Sequence, residues 1–429
     1  MMIEIDEIVN AVIGVEEPGV AVAVVKRGRL VHSKGYGLAN LEWNIAIQPN
    51  TVFRLASVTK QFTATAILLL EQQGKLHLAD SLTKYLPSYP THGHEISIWH
   101  LLTHTSGIKP YNEVENFFEL YCRRQLSHAD VVDMIKDFPL EFAPGTRYKY
   151  NNTGYYLLGM IIEVVSGKSY EEFIQTQIFA PLGMEHSYYM WNEKIIPQRA
   201  SGYSKLEQGY QHAPFLDMTV PYSGGALGSN LDDLVRWDAA LREGRLLKKE
   251  ALERMFTPAQ LLDGSRAEYG FGWGIGEYRG HRVAYHQGDM NGFITFIARF
   301  LDDEITVILL SNSHGSDIET LFRCIVRQSL ALPPLIQKTS SLEPEAIMRM
   351  VGAYTLAGMF QFMVEVEQAD DTLMLRPFNV ELKPLNETTC CFAHDHEIEL
   401  HFSDEGAQGF STMAICFPFS PLPLTRVDA

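Results

Sequence analysis

Ser57-Val58-Thr59-Lys60-Gln61-Phe62-Thr63-Ala64-Thr65-Ala66-Ile67-Leu68-Leu69-Leu70 is the stretch of this 429-residue chain that says most about its fold. Its apolar run predicts a helix over residues 58–73, with Gly74 placed where a helix stops. A helix this apolar runs through the middle of a domain rather than along its surface. Ser57 and Lys60 stand three residues apart, on one helical face and one turn from each other. A serine hydroxyl is a poor nucleophile until a neighbouring base takes its proton. A lysine can be that base only where burial or positive neighbours lower its pKa, and the apolar helix supplies burial. The helix start adds N–H groups that favour developing negative charge. Ser-x-x-Lys alone also fits an ordinary helix N-cap. Its context carries the argument further.

Downstream come Phe142-Ala143-Pro144-Gly145-Thr146 and then Tyr150-Asn151-Asn152, just before a second apolar helix expected over residues 155–165. A phenol beside an ammonium can ionise at a lower pH than usual, which makes Tyr150 a candidate base. Asn152 offers a donor and an acceptor suited to a substrate amide. A packed loop tyrosine with a turn asparagine is the plainer alternative. The third group is His286-Gln287-Gly288, followed by Asp289, on an expected strand. A glycine in a strand admits close approach of another backbone.

In order, spacing and local structure, Ser-x-x-Lys, Tyr-x-Asn and His-x-Gly resemble the penicillin-recognising serine hydrolases. The similar branch holds class C β-lactamases, D-aminopeptidases, D-amino-acid amidases and serine esterases. Gly35-Tyr36-Gly37, Leu101-Leu102-Thr103-His104-Thr105-Ser106-Gly107, Pro181-Leu182-Gly183-Met184 and Gly224-Gly225-Ala226-Leu227 support the resemblance, which covers roughly residues 8 to 330. It implies that Ser57 is acylated and that Lys60 and Tyr150 handle its proton, either being the main base. It also implies that His286 belongs to the catalytic set with Ser57, Lys60 and Tyr150, that Asn152, Gly288 and Asp289 bind substrate, and that the backbone N–H groups of Ser57 and Asp289 form an oxyanion hole. One departure matters. Penicillin-hydrolysing members usually carry Lys-Thr-Gly where this chain has His286-Gln287-Gly288, and a histidine is mostly neutral near pH 7. Weak or no β-lactamase action is therefore expected.

The implied fold class is α+β: an antiparallel sheet flanked by helices, plus a mostly helical subdomain. Strand character at residues 20–25, in a hairpin with 30–32, returns only at 269–273, 281–285, 293–300 and 305–311. One sheet assembled from distant parts of the chain explains that distribution. A break near Pro333-Pro334 divides a catalytic domain, residues 1–335, from a tail, residues 336–429. The tail alternates in short segments at 362–366, 372–375, 398–402 and 413–417, which suits an antiparallel barrel or sandwich. Its Val351-Gly352-Ala353-Tyr354 start resembles the lipocalin-like barrel appended to some of these peptidases.

Charge narrows the partners. With 35 Lys+Arg and 52 Asp+Glu the net charge is −17, and residues 341–429 hold 14 acidic and 4 basic residues, a net of −10. Nucleic acid and anionic membranes demand a basic face and are not expected as partners. No apolar run approaches the ~18 residues that span a bilayer. The acidic N-terminus and five scattered cysteines fit a cytoplasmic protein, with a processed secreted form left open. The histidines at 92, 94, 100 and 104 lack carboxylates at ligand spacing, and His394-Asp395-His396 suits an exposed loop, so neither a metal nor a cofactor is expected.

The expected activity is hydrolysis of amides or peptides containing D-amino acids through an acyl-enzyme. The alternatives are an esterase for small acyl esters and a non-catalytic scaffold or penicillin-binding sensor. A homo-oligomer is left open.

Overall fold

The computed structural model describes residues 4–314, 318–333, 339–356, 363–369, 372–376, 380–393, 397–406, 409–417 and 420–426. His394 and His396, and Phe362 at the start of an expected strand, lie outside them. The chain divides into two compact units, one holding the residues up to Ile275 with His281–Ala331, the other Gly276–Gly280 with the residues from Leu332 onward.

The sheet uses six strands: β1 (Val20–Lys26), β2 (Arg29–Tyr36), β3 (Gly274–Tyr278), β4 (His281–Met290), β5 (Phe293–Phe300) and β6 (Ile305–Ser311). Their order is β3-β4-β5-β6-β1-β2, so the N-terminal hairpin completes a sheet whose other strands come from the far end of the catalytic sequence. Val22 of β1 faces Leu309 of β6 on one side and Lys34 of β2 on the other, both pairings antiparallel. β1 is buried on both faces, as its unbroken Val/Ala run requires. Helix α3 (Leu231–Glu243) lies against β1 and β6, and α4 (Ile318–Ser329) stacks Phe322 on Phe296 of β5.

Helix α1 (Thr59–Gln72) follows a single 3-10 turn, Ala56–Val58, and packs on α2 (Asn152–Ser166). Every α1 side chain from Thr59 to Leu70 is buried. Burial of Phe62, Ile67, Leu68 and Leu70 stabilises the unit by about 1.5–3 kcal/mol each. The helix that starts at the Ser-x-x-Lys motif is therefore also a main support of the core. A short helix, Ile5–Asn10, precedes the sheet in the sequence.

The reading of residues 269–273 as a strand is corrected. Tyr269-Gly270-Phe271-Gly272-Trp273 alternates like one, yet it is a turn, and the strand begins at Gly274. Gly272 has φ +77°, and a Cβ there would sit 2.6 Å from the Lys60 carbonyl oxygen. Gly272 lets this turn press against the first turn of α1, and Gly270 lets it pass the Met255 carbonyl, 2.1 Å from a Cβ placed there.

The second unit is a closed up-and-down barrel of eight antiparallel strands, β7 (Gly352–Leu356), β8 (Met363–Ala369), β9 (Thr372–Arg376), β10 (Val380–Asn386), β11 (Thr389–Phe392), β12 (Glu399–Gly406), β13 (Gly409–Phe417) and β14 (Ser420–Arg426). Tyr354 of β7 faces Arg426 of β14, closing the ring and excluding the sandwich. Alternate residues, among them Val364 and Val366, Leu373 and Leu375, Leu400 and Phe402, and Met413 and Ile415, form its buried core.

Candidate active site

Lys60 is 0% exposed, and its Nζ lies 3.0 Å from Ser57 Oγ, 2.8 Å from Asn152 Oδ1 and 2.9 Å from the Gly224 carbonyl oxygen. Burial pulls its pKa well below the usual 10.5, with no carboxylate opposing the shift. The partners suit the neutral amine, which has two N–H donors and one lone pair. The Asn152 and Gly224 oxygens can only accept, so they take the donors, and the lone pair is left for the Ser57 O–H. Asn152 is held in turn, its Nδ2 donating to Asn112 Oδ1 at 3.1 Å. Both polar ends of the Asn152 amide are thus engaged within the protein, where the sequence suggested a grip on substrate.

The turn carrying Ser57 is strained. Ala56 has φ +49° and Tyr222, two residues before Gly224, has φ +39°. A non-glycine residue in such a conformation costs on the order of 1–3 kcal/mol and persists only where its surroundings hold it. Here Leu55 N donates to the Leu227 carbonyl at 2.8 Å, Thr295 Oγ1 to the Leu55 carbonyl at 2.8 Å, and Leu227 N to Thr59 Oγ1 at 3.1 Å. β4 closes the other side. A Cβ on Gly288 would lie 2.2 Å from the Leu55 carbonyl oxygen and 2.3 Å from Thr295 Oγ1. Only glycine allows the strand to bring Asp289 up beside the serine turn. The Asp289 carboxylate points away and pairs with His314 at 3.1 Å.

Tyr150 overturns a sequence expectation. Its ring lies beneath the Lys60 amine, 4.8 Å from Nζ to centroid, but its hydroxyl oxygen is sealed from solvent and faces Ser57 without a well-formed hydrogen bond. Burial raises its pKa, with only a small opposing pull from Ser57. Proximity to a lysine lowers a phenol's pKa only if the lysine is charged, and the same desolvation acts against both ions. Tyr150 is a phenol here, not a phenolate.

His286 is buried, and both its ring nitrogens are engaged. Nδ1 donates to the Gln287 carbonyl at 2.7 Å, so Nε2 is the acceptor and takes the Tyr269 O–H at 2.8 Å. Burial and Lys60 bring its pKa down to about 3. His104 belongs to the same aromatic cluster, its ring centroid 4.4 Å from those of both Tyr150 and Tyr269. Its Nδ1 accepts from Asn151 N at 3.0 Å. His100 instead completes a helix cap with Ser97. Among the described residues no group of three or more His, Cys, Asp or Glu is placed to hold a metal ion.

The structure thus gathers Ser57, Lys60, Tyr150, Asn152, His286, Gly288 and Asp289 at the start of α1. It adds the Gly224 carbonyl, Asn112 and Tyr269, none of which had a role assigned from sequence. Gly224 stood in a quoted motif without a function, Tyr269 in a supposed strand, and Asn112 carries no sequence signal.

A serine turn, a buried amine and a glycine-bearing strand edge on this α+β scaffold agree with what sequence comparison finds. The β-lactamase family model matches residues 8–322, and the chain belongs to that family. A penicillin-binding protein of Bacillus subtilis is 30% identical over 419 residues, covering 91% of each chain. A D-aminopeptidase of Gluconobacter oxydans is 31% identical over 329 residues, 74% of this chain and 59% of that protein. Among solved structures, an octameric penicillin-binding protein homologue from Pyrococcus abyssi matches 96% of both chains at 26% identity, with a TM-score of 0.67. Among the described residues no helix is long and apolar enough to cross a membrane.

Proposed function

We propose that this protein is a serine hydrolase that cleaves amide or peptide bonds next to D-amino acids through an acyl-enzyme on Ser57. The observation that carries the reading is the Lys60 amine, fully buried and 3.0 Å from Ser57 Oγ. Neutral Lys60 takes the Ser57 proton as Oγ bonds to the substrate carbonyl carbon. The N–H groups of Ser57 and Asp289 receive the developing oxyanion, a contribution of several kcal/mol when such donors are fixed in advance. The proton passes from Lys60 by way of the Tyr150 hydroxyl to the leaving nitrogen, the C–N bond breaks, and the amine departs. Water then attacks the ester, its proton returning along the same path, to release the acid and restore Ser57. The phenol gives one proton and regains one, so it need never ionise freely.

The D-aminopeptidase relative and the His-x-Gly sequence support D-amino-acid substrates. His286, held neutral, provides no fixed charge for a β-lactam carboxylate, so penicillins should be poor substrates. The octameric relative supports a homo-oligomer. A fluorophosphonate probe should label wild-type protein at Ser57 and fail on a folded Ser57→Ala variant. D-aminoacyl amides should be turned over in preference to their L counterparts and to small esters. Turnover of esters alone would sink the peptidase reading, and absence of labelling would sink the hydrolase.

A further inference from the structure

Arg54 lies three residues before Ser57, inside the apolar stretch Val52-Phe53-Arg54-Leu55-Ala56. It is 8% exposed, and among the described residues it forms no ion pair with a carboxylate. Its Nε is sealed from solvent with no hydrogen-bond partner, and its guanidinium rests on the Phe293 ring at 5.9 Å. It forms one wall of a cleft of about 270 Å³ whose other polar residues are Arg199, Ser201, His212 and Asn291. Arg199, half-buried, spends one N–H on the Trp191 carbonyl at 3.3 Å. Burial, with the nearby Arg199 guanidinium adding to it, brings Arg54 down to about 10, and burial lowers Arg199 as well. Both are still cations in any physiological medium. Among the described residues no Asp or Glu lines the cleft. Asp217 acts on Arg54 only at a distance and is occupied by Thr219, while His212 is paired with Glu42.

Two like charges withdrawn from water without a counter-ion are costly to folding. A carboxylate in the cleft would remove that cost, because its two oxygens fit the parallel N–H pairs of a guanidinium. We propose that the Arg54–Arg199 cleft is a carboxylate-binding subsite. Its position ties it to the chemistry, and to that extent the proposal rests on the function given above. The segment that presents Ser57 also carries Arg54, and three residues of chain reach at most about 11 Å. The strand end that presents Asp289 continues directly into Asn291 and Phe293. The carboxylate therefore belongs to a substrate, within a residue or two of the scissile bond, or to a free organic acid that occupies the same place.

Binding tests the cleft without relying on turnover. N-acetylglycine should give a saturable calorimetric isotherm with the full-length protein, and N-acetylglycinamide should give none. Arg199→Gln, at a half-exposed position that should tolerate the change, should weaken the acid at least about tenfold, and Arg199→Lys, which keeps the charge but loses the fork, by less. Arg54→Gln, checked for folding by circular dichroism, should do the same as Arg199→Gln. Equal binding of acid and amide, or an isotherm unchanged in the variants, would overturn the proposal.

Turnover then separates the two sources. If the substrate carries the carboxylate, D-alanylglycine should exceed D-alanylglycinamide in kcat/KM, and Arg199→Gln should erase that preference through KM for the acid alone. If a free acid is the ligand, N-acetylglycine should alter hydrolysis of the amide in wild type and not in Arg199→Gln. Loss of Ser57 labelling together with intact, arginine-dependent binding would defeat the hydrolase reading and leave the subsite standing.

Discussion

Lys60 and Arg54 stand six residues apart, on either side of the same serine, and both are withdrawn from water with no acid paired to them among the described residues. Desolvation acts on each in the same direction. The outcomes differ because of chemistry. An ammonium escapes burial by shedding its proton and becomes a base with a lone pair aimed at Ser57. A guanidinium brought down to about 10 keeps its charge and remains a cation in search of an anion. One environment thus yields a proton acceptor from lysine and a binding site from arginine.

The strongest way to break the comparison is to exchange the chemistry at position 60. In Lys60→Arg the buried cation can no longer shed its proton, so kcat/KM should fall by about 10³-fold or more, with no recovery at alkaline pH. Lys60→Met should be equally inactive but more stable than wild type near neutrality. The sign follows from linkage. Folded Lys60 has a pKa below 10.5, so between its folded value and 10.5 the unfolded chain binds a proton that the native state does not. Wild-type stability therefore rises with pH across that window, and the advantage of Lys60→Met in urea unfolding should shrink toward 10.5. Substantial activity in Lys60→Arg would mean that another group is the base.

His286 sharpens the rule, because it too can become neutral when buried. Its folded pKa of about 3 lies below the ordinary 6.5, so stability is complete above 6.5 and is lost as pH falls toward 3. At about pH 5 the loss from this residue is on the order of 2 kcal/mol. Urea unfolding of wild type and His286→Gln at neutral pH and about pH 5 isolates that share. The variant should lose less stability on acidification by roughly that amount. Equal losses in the two proteins would show that His286 is already solvated or charged.

These contrasts also mark where the sequence could be read and where it could not. The helix at residues 58–73 and the strands at 20–25, 293–300 and 305–311 were legible because burial on every face demands a nearly unbroken apolar run, and the structure places them within a residue or two. Gly270 and Gly272 misled, since Tyr-Gly-Phe-Gly-Trp copies a strand's alternation while its glycines serve close approaches, Gly272 to α1 and Gly270 to the Met255 carbonyl. The barrel was legible as strand rhythm, but its closure depends on Tyr354 meeting Arg426, a pairing no local pattern encodes. Tyr150 was found by its motif, whereas the sign of its pKa shift required knowing that its oxygen is sealed. Arg54 did leave a trace, a charge within an apolar run, but its meaning depends on Arg199, far along the chain, and on the absence of a carboxylate.

Asn112 gives the smallest and most local test of the comparison. It touches neither Ser57 nor Lys60, but its Oδ1 fixes the Asn152 amide that receives a Lys60 N–H. It is a positioning residue. Removing it frees Asn152 to turn and admits water toward Nζ, so the amine should regain part of its hydration and its pKa should move back up toward 10.5. Asn112→Ala should then lower kcat by about tenfold, the scale of a displacement well short of 1 Å in a catalytic group, and shift the acid limb of the rate profile to higher pH. A purely structural role would lower the melting temperature or the active fraction and leave that limb in place. Movement of the limb would show that what distinguishes Lys60 from Arg54 is maintained through a chain of amides reaching back to residue 112.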